Sequence, residues 1–222
     1  AQPDLTELRQ EQEKRFNKFD KLAPKPALAF AYKMPPRNTP EYYAMGILDQ
    51  LLVQGTDSLL HQELVKNRQL TGDVGGGINY LLGNMFNYNG PMLWMSSFTH
   101  DEKHSEKELL AAIDNVIGQL TEQPILQKDI DRAIVKIRSN LYDNIDDFYG
   151  FGKLDLLASF ALFDNDPARI NDLEAQFKAV TPEVLKATIA EYLRPGNRTI
   201  LTLTPGEAPA AAATPAKEGN TP

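Results

Sequence analysis

The chain has no cysteine. That excludes disulfides and thiolate metal sites, removes the most reactive side-chain nucleophile, and leaves His, Asp and Glu as the strong metal ligands. Histidine is scarce as well, with 3 residues in 222, so metal chemistry has few arrangements open to it. Long apolar runs are missing: none approaches the ~18 residues of a membrane-spanning helix, and the first residues lack the basic-then-apolar layout of a secretory leader. Neither a membrane contact nor a leader is expected within this sequence. Positive charge is in deficit, with 23 Lys and Arg against 30 Asp and Glu for a formal net charge of -7. No basic cluster offsets it, so the surface repels polyanions and nucleic acid is not expected as a partner. What is present is core. Hydrophobic residues make up 42% of the chain, whose length lies between one and two typical domains and suffices for a globular fold.

The two ends are poor in core-forming residues. Residues 1–23, rich in Gln, Glu, Lys and Arg, are expected to be a linker or docking segment, and the Ala/Pro/Thr run over 207–222 a flexible tail. Between them, residues 24–206 read as one α+β domain. Ala27 to Tyr32 is a predicted strand between prolines. Thr39-Pro40 caps and starts a helix to about residue 54, on which Tyr43, Ile47, Leu48, Leu51 and Leu52 share a face, and Gly55 stops it. A second helix is predicted through Leu59, Leu60, Leu64 and Val65. Asp73 to Phe98 switches to glycines, aromatics and short apolar runs, which predicts two strands joined by a turn near Gly83-Asn84. Ser105 and Glu108 form a capping box for a helix through Leu120, and a third long helix uses Ile130, Ile134, Ile137 and Leu141. Further helices start at Asp166-Pro167 and Thr181-Pro182, Pro195-Gly196 stops the last, and Asn197 to Thr204 alternates as a closing strand.

Each apparent motif has a plainer reading. His100 and His104 in His-Asp-Glu-Lys-His lie four apart, a spacing that lets two imidazoles share one metal on a helix. Asp101 stands where the zincin order needs Glu, and Lys103 where the inverted order needs it. The capping box also starts the helix at Ser105, after both histidines, so a solvated loop is the expectation. Gly75-Gly76-Gly77 lacks the third glycine of a dinucleotide fingerprint, because Tyr80 occupies it; close backbone packing or a bulge is the alternative use. Gly152-Lys153 is followed by Leu154 instead of the Ser or Thr of a P-loop. The carboxylates from Asp143 to Asp147 lack the alternation and glycine of a calcium loop and read as a polar helix end. No serine or threonine has a plausible base beside it in sequence.

Three segments taken together resemble the C-terminal half of the insulinase-like, or pitrilysin, family of zinc peptidases. They are Asn38 to Ala44 opening a helix, Gln54 to Leu70 matching a glycine-turn, Ser-Arg-Leu and Leu-Arg stretch, and Val180-Thr181-Pro182 through Tyr192-Leu193-Arg194-Pro195-Gly196-Asn197-Arg198-Thr199. The resemblance spans about residues 28–205 and implies an antiparallel β-sheet packed against several α-helices, as in mitochondrial processing peptidase-like proteins. It implies a clamshell that cuts peptides in a closed chamber, with zinc held by an inverted H-x-x-E-H motif in the parent's N-terminal domain and no cofactor in this chain.

Family members that clamp substrate from the opposite half carry an Arg and, further on, a Tyr. The matching positions here are Val65 and Gly72, and Ser-Arg-Leu has become Ser58-Leu59-Leu60. The implied role is that of a non-catalytic, substrate-enclosing domain that works with the zinc-bearing domain of its parent, and with a second subunit supplying the Arg/Tyr clamp. Gly75, Gly76 and Gly77 are candidates for the chamber wall, and a bacterial periplasmic setting is favoured. An inactive structural homologue, or a free-standing peptide or protein interaction module, stays open as the alternative.

Overall fold

The computed structural model describes residues 7–146 and 151–207. Among the described residues, five strands form one sheet in the order β1-β5-β2-β4-β3: β1 (Lys14–Asp20), β2 (Ala27–Lys33), β3 (Gly75–Ile78), β4 (Leu93–Thr99) and β5 (Arg198–Pro205). The pairs β5-β2, β2-β4 and β4-β3 are antiparallel and β1-β5 is parallel, so the α+β fold has a mixed sheet where a wholly antiparallel one is the expectation. The predicted hairpin is β3-β4, although fourteen-odd residues of irregular chain, not a tight turn, connect the strands.

The expected linker contains an edge strand. Its sequence, Lys-Arg-Phe-Asn-Lys-Phe-Asp, exposes almost every side chain and so shows little of the half-buried alternation that marks a strand. Tertiary contacts hold it instead. Gln10 Nε2 donates to the Arg198 carbonyl at 2.9 Å, Arg194 donates to the Gln10 carbonyl at 2.6 Å, and the buried Arg198 guanidinium bonds Glu13 at 2.7 Å and also Asp114. Burial pushes the Glu13 carboxyl up, but the hydrogen bonds from Arg198 and Arg15 outweigh it and leave it below the usual range.

The helices are α1 (Pro40–Leu52), α2 (Glu106–Glu122), α3 (Gln127–Asp146), α4 (Phe151–Asp164), α5 (Leu173–Lys178) and α6 (Pro182–Tyr192). Three start as their caps dictate: the side chains of Thr39, Ser105 and Thr181 accept from the backbone N–H groups of Tyr42, Glu108 and Val184. The helix predicted through Leu59 to Val65 is a π-type turn over His61–Asn67. α1 is apolar except for Glu41, Asp49 and Gln50 and is correspondingly buried, with Tyr42 to Leu52 inaccessible or nearly so.

The helices lie on one face of the sheet, against Leu28, Phe30 and Tyr32 of β2, Trp94, Ser96 and Phe98 of β4, and Ile200 of β5. Phe30, Tyr32 and Trp94 meet with ring centroids 5.9–6.3 Å apart, at the centre of the core. The alternate residues point the other way. Ala29, Ala31, Met95, Ser97 and Leu203 stay half-exposed, while the register partners Phe16 and Leu201 are 56% and 41% exposed.

Arg198→Ala removes the central cation of the joint between β5, α2 and the N-terminal segment, and should lower the unfolding free energy by about 2 kcal/mol. Asp114→Asn, at the exposed end of the same joint, should cost less than about 1 kcal/mol. Chemical denaturation of the two variants checks the order, and equal effects would contradict it.

Candidate functional site

The glycine strand β3 lies at the sheet edge with a hollow on either side. Gly76 permits it to sit there: a Cβ would lie 2.4 Å from the Met95 carbonyl oxygen, so only glycine lets β3 approach β4 this closely. Gly77 has φ +153°, a conformation side chains resist, and both features fit the close-packing reading of this run.

On one side is a shallow hollow of about 680 Å³, bordered by Gly72, Asp73, Gly75, Tyr80, His100 and Asp101. Gly72 is exposed, and a Cβ on it would meet nothing within 4 Å. Val65 does not border this hollow; it sits half-buried on the π-type turn, packed against the core. The two positions that match the family clamp are therefore not brought into one cavity. His100 is buried, with Nδ1 3.0 Å from the Asp101 carbonyl, and His104 Nδ1 lies 3.2 Å from Glu108 Oε2. Both histidines precede the Ser105 cap, so they do not share a helix face. Among the described residues no three His, Asp or Glu side chains come together around a common point. Of the acidic run, Asp143 is exposed on the last turn of α3 and Asp147 lies outside the described residues, as do 1–6 and 208–222 of the expected linker and tail.

On the other side is a cavity of about 400 Å³ between β3, α1, α3, α4 and the connection from Asn79 to Met92. Its polar lining includes Asp49 and Gln50 on α1, Gln54 just beyond it, and Asn84, Asn140 and Asp155. Asp49 Oδ1 accepts from the Trp94 indole N–H at 2.8 Å, and Oδ2 from Gln54 Nε2 at 3.1 Å. Gln54 Nε2 also reaches the Gly76 carbonyl at 3.1 Å, so one amide links the Asp49 carboxylate of α1 to the sheet edge. Burial pushes the Asp49 carboxyl up to about 7, against the two hydrogen bonds that favour its ionised form. The neighbouring Gln50 is buried, and its Oε1 has no hydrogen-bond partner among the described residues.

The apolar walls include Met85, Phe86, Leu141 and Phe177. The connection carrying Phe86 is fastened from beneath by Arg37, which donates to the Phe86 carbonyl at 2.7 Å and to Asp164 at 2.9 Å, while Tyr42 donates to the Met85 carbonyl. Burial raises the Asp164 carboxyl, but Arg37 and Asn38 more than reverse this and hold it below its usual range. Among the described lining residues there is no Ser, Thr, His or Lys, and the carboxyl groups are those of Asp49 and Asp155. Asp49, Gln50 and Gln54 match no motif in the sequence. The signal for them was a carboxylate and an amide interrupting the apolar run from Ile47 to Leu52.

Asp49 is raised in the folded chain relative to its unfolded value, so its contribution to stability is present below about pH 4 and is lost as pH rises toward 7. Between pH 5 and 7 the wild type should lose on the order of 2 kcal/mol relative to Asp49→Asn, whose amide does not titrate. Denaturant titrations across that range measure it; a constant difference between the two proteins would show that Asp49 is not so shifted.

The sequence model of the family described as peptidase M16 inactive domain matches residues 2–136, more than half of the chain. The chain therefore belongs to that family, as its resemblance to the C-terminal half of insulinase-like zinc peptidases implied. No curated protein matches it in sequence. Among solved structures it is similar to a protease from Helicobacter pylori, at 19% identity over 92% of this chain and 47% of that one with a TM-score of 0.76. It is also similar to a peptidase M16 inactive domain from Pseudomonas fluorescens, at 19% identity over 93% and 47% with a TM-score of 0.69. The periplasmic protease PqqL from Escherichia coli matches at 15% identity over 88% and 21%, with a TM-score of 0.62. The chain thus spans about half the length of the first two, and at these identities the likeness is one of fold.

Proposed function

We propose that this member of the M16 inactive-domain family is the non-catalytic domain of a zinc-dependent metallopeptidase and forms part of the closed chamber that holds peptide substrate opposite a zinc-bearing domain. The observation that carries the reading is the bare face of the sheet. Phe16, Leu201, Leu203, Met95 and a strip of alanines form an apolar surface that no described helix covers. A one-sided sheet of this kind is completed by packing against another layer. The occupant is the parent's zinc-bearing domain, since the chain spans only about half of the H. pylori protease to which it is similar.

In this arrangement the chain supplies enclosure. A closed chamber fixes an extended peptide and keeps bulk water from it, and the zinc in the parent's N-terminal domain supplies the activated water. Gly75, Gly76 and Gly77, at an edge with little side-chain bulk, form part of the chamber wall. Val65 and Gly72 offer neither a guanidinium nor a phenol, so the Arg/Tyr clamp comes from a second subunit. The likeness to a periplasmic protease supports a bacterial periplasmic setting.

The test is reconstitution. Mixed with the zinc-bearing domain of its parent, the chain should restore chelator-sensitive peptide hydrolysis that neither part shows alone. Leu201→Asp, on the bare face, should weaken that association by at least about tenfold without unfolding the chain. Hydrolysis by the chain alone, or peptide binding that gains nothing from the counterpart, would overturn the proposal; the second result would favour a free-standing interaction module.

A further inference from the structure

The cavity over α1 combines features that a purely structural void does not need. Its walls are apolar and partly aromatic, and two of its buried polar groups, the Asp49 carboxyl and Gln50 Oε1, are acceptors with capacity left. Asp49 accepts on both oxygens and each can accept again, and the buried Gln50 Oε1 accepts from nothing described. Asp155 adds a second carboxylate at the exposed rim, and no Lys, Arg or His is among the described lining residues. Apolar walls leading to unsatisfied acceptors and an uncompensated carboxyl suit a ligand with an aliphatic stem and a donor-rich cationic head. Phe86 and Phe177 add aromatic side chains to the wall.

The setting favours a ligand carried on a peptide. One wall of the cavity is the backbone of Gly76 and Gly77, in a strand whose outer side pairs with no strand among the described residues. A main chain can lie along such an edge with one side chain turned inward. The volume, about 400 Å³, is within the ordinary range for a small-ligand site.

We propose that this cavity binds the side chain of a lysine or arginine from a peptide segment, with its stem against Phe86, Leu141 and Phe177 and its charged head at Asp49 and Gln50. The site does not depend on the peptidase reading: it needs no zinc-bearing counterpart and is tested on the chain alone. A cation at Asp49 favours the ionised carboxylate, so binding expels the proton that burial would otherwise retain. The charged or titratable groups around Asp49 are Asp155 and Tyr80 at the cavity rim; its hydrogen-bond donors, Trp94 and Gln54, are neutral.

Trp94 is the single tryptophan, and its indole N–H donates directly to Asp49, which makes its resolved indole resonance a built-in reporter. The 222-residue chain would be titrated with acetyl-Ala-Arg-Ala-amide, with the isosteric citrulline peptide, and with n-butylguanidinium. The arginine peptide should shift the indole signal saturably and the citrulline peptide at least about tenfold more weakly. Saturating arginine peptide should also lower the pH at which the signal titrates from about 7, a readout that needs no variant. Asp49→Asn should remove the preference for arginine over citrulline. Equal shifts from the two peptides, or none, would overturn the proposal. A shift from n-butylguanidinium without one from the arginine peptide would overturn its assignment to a peptide.

Discussion

The structure depends on a sheet that buries only one of its faces. Helices α1 to α6 crowd onto the side carrying Phe30, Tyr32 and Trp94, which are almost wholly excluded from water, and the hydrophobic drive of the fold is concentrated there. Because strand side chains alternate, the same registers that bury those rings turn Phe16, Ala29, Ala31, Met95 and Leu201 outward. A register slip by one residue would exchange the two sets, so the core fixes the composition of the bare face as firmly as its own.

Polar joints fix what packing alone would leave loose. Asp49 lies within an apolar helix, where an unpaired carboxyl is costly, yet its bonds to Trp94 and Gln54 lock α1 in rotation and height against β4 and β3. The Arg37-Asp164 pair, buried at both ends, does the same for the connection over the cavity and the end of α4. Arg198 performs a third joining at the opposite edge, where it draws the N-terminal segment into the sheet as β1. All three joints link residues far apart in sequence, so none could be read from spacing.

Elements with local causes were legible from the sequence alone. Thr39-Pro40, Ser105 with Glu108, and Thr181-Pro182 announced helix starts because a cap acts within a few residues, and the alternation after Asn197 announced β5. The Ser105 cap likewise separates His100 and His104 from the helix that follows, and the structure places both before it. β1 was not legible, because its hold on β5 is tertiary and its own side chains stay exposed. The cavity was not legible either: Asp49, Gln54, Trp94 and Gly76 meet only after α1 has folded across two strands.

The claim that a partner completes this sheet is most directly tested by oxidative footprinting of Phe16, Met95 and Leu201, with and without the zinc-bearing domain. A completed sheet predicts that these side chains lose reactivity together on mixing, while exposed residues on the helical side such as Leu162 keep theirs. Unchanged reactivity on the bare face, alongside a complex that forms and cleaves peptide, would contradict it.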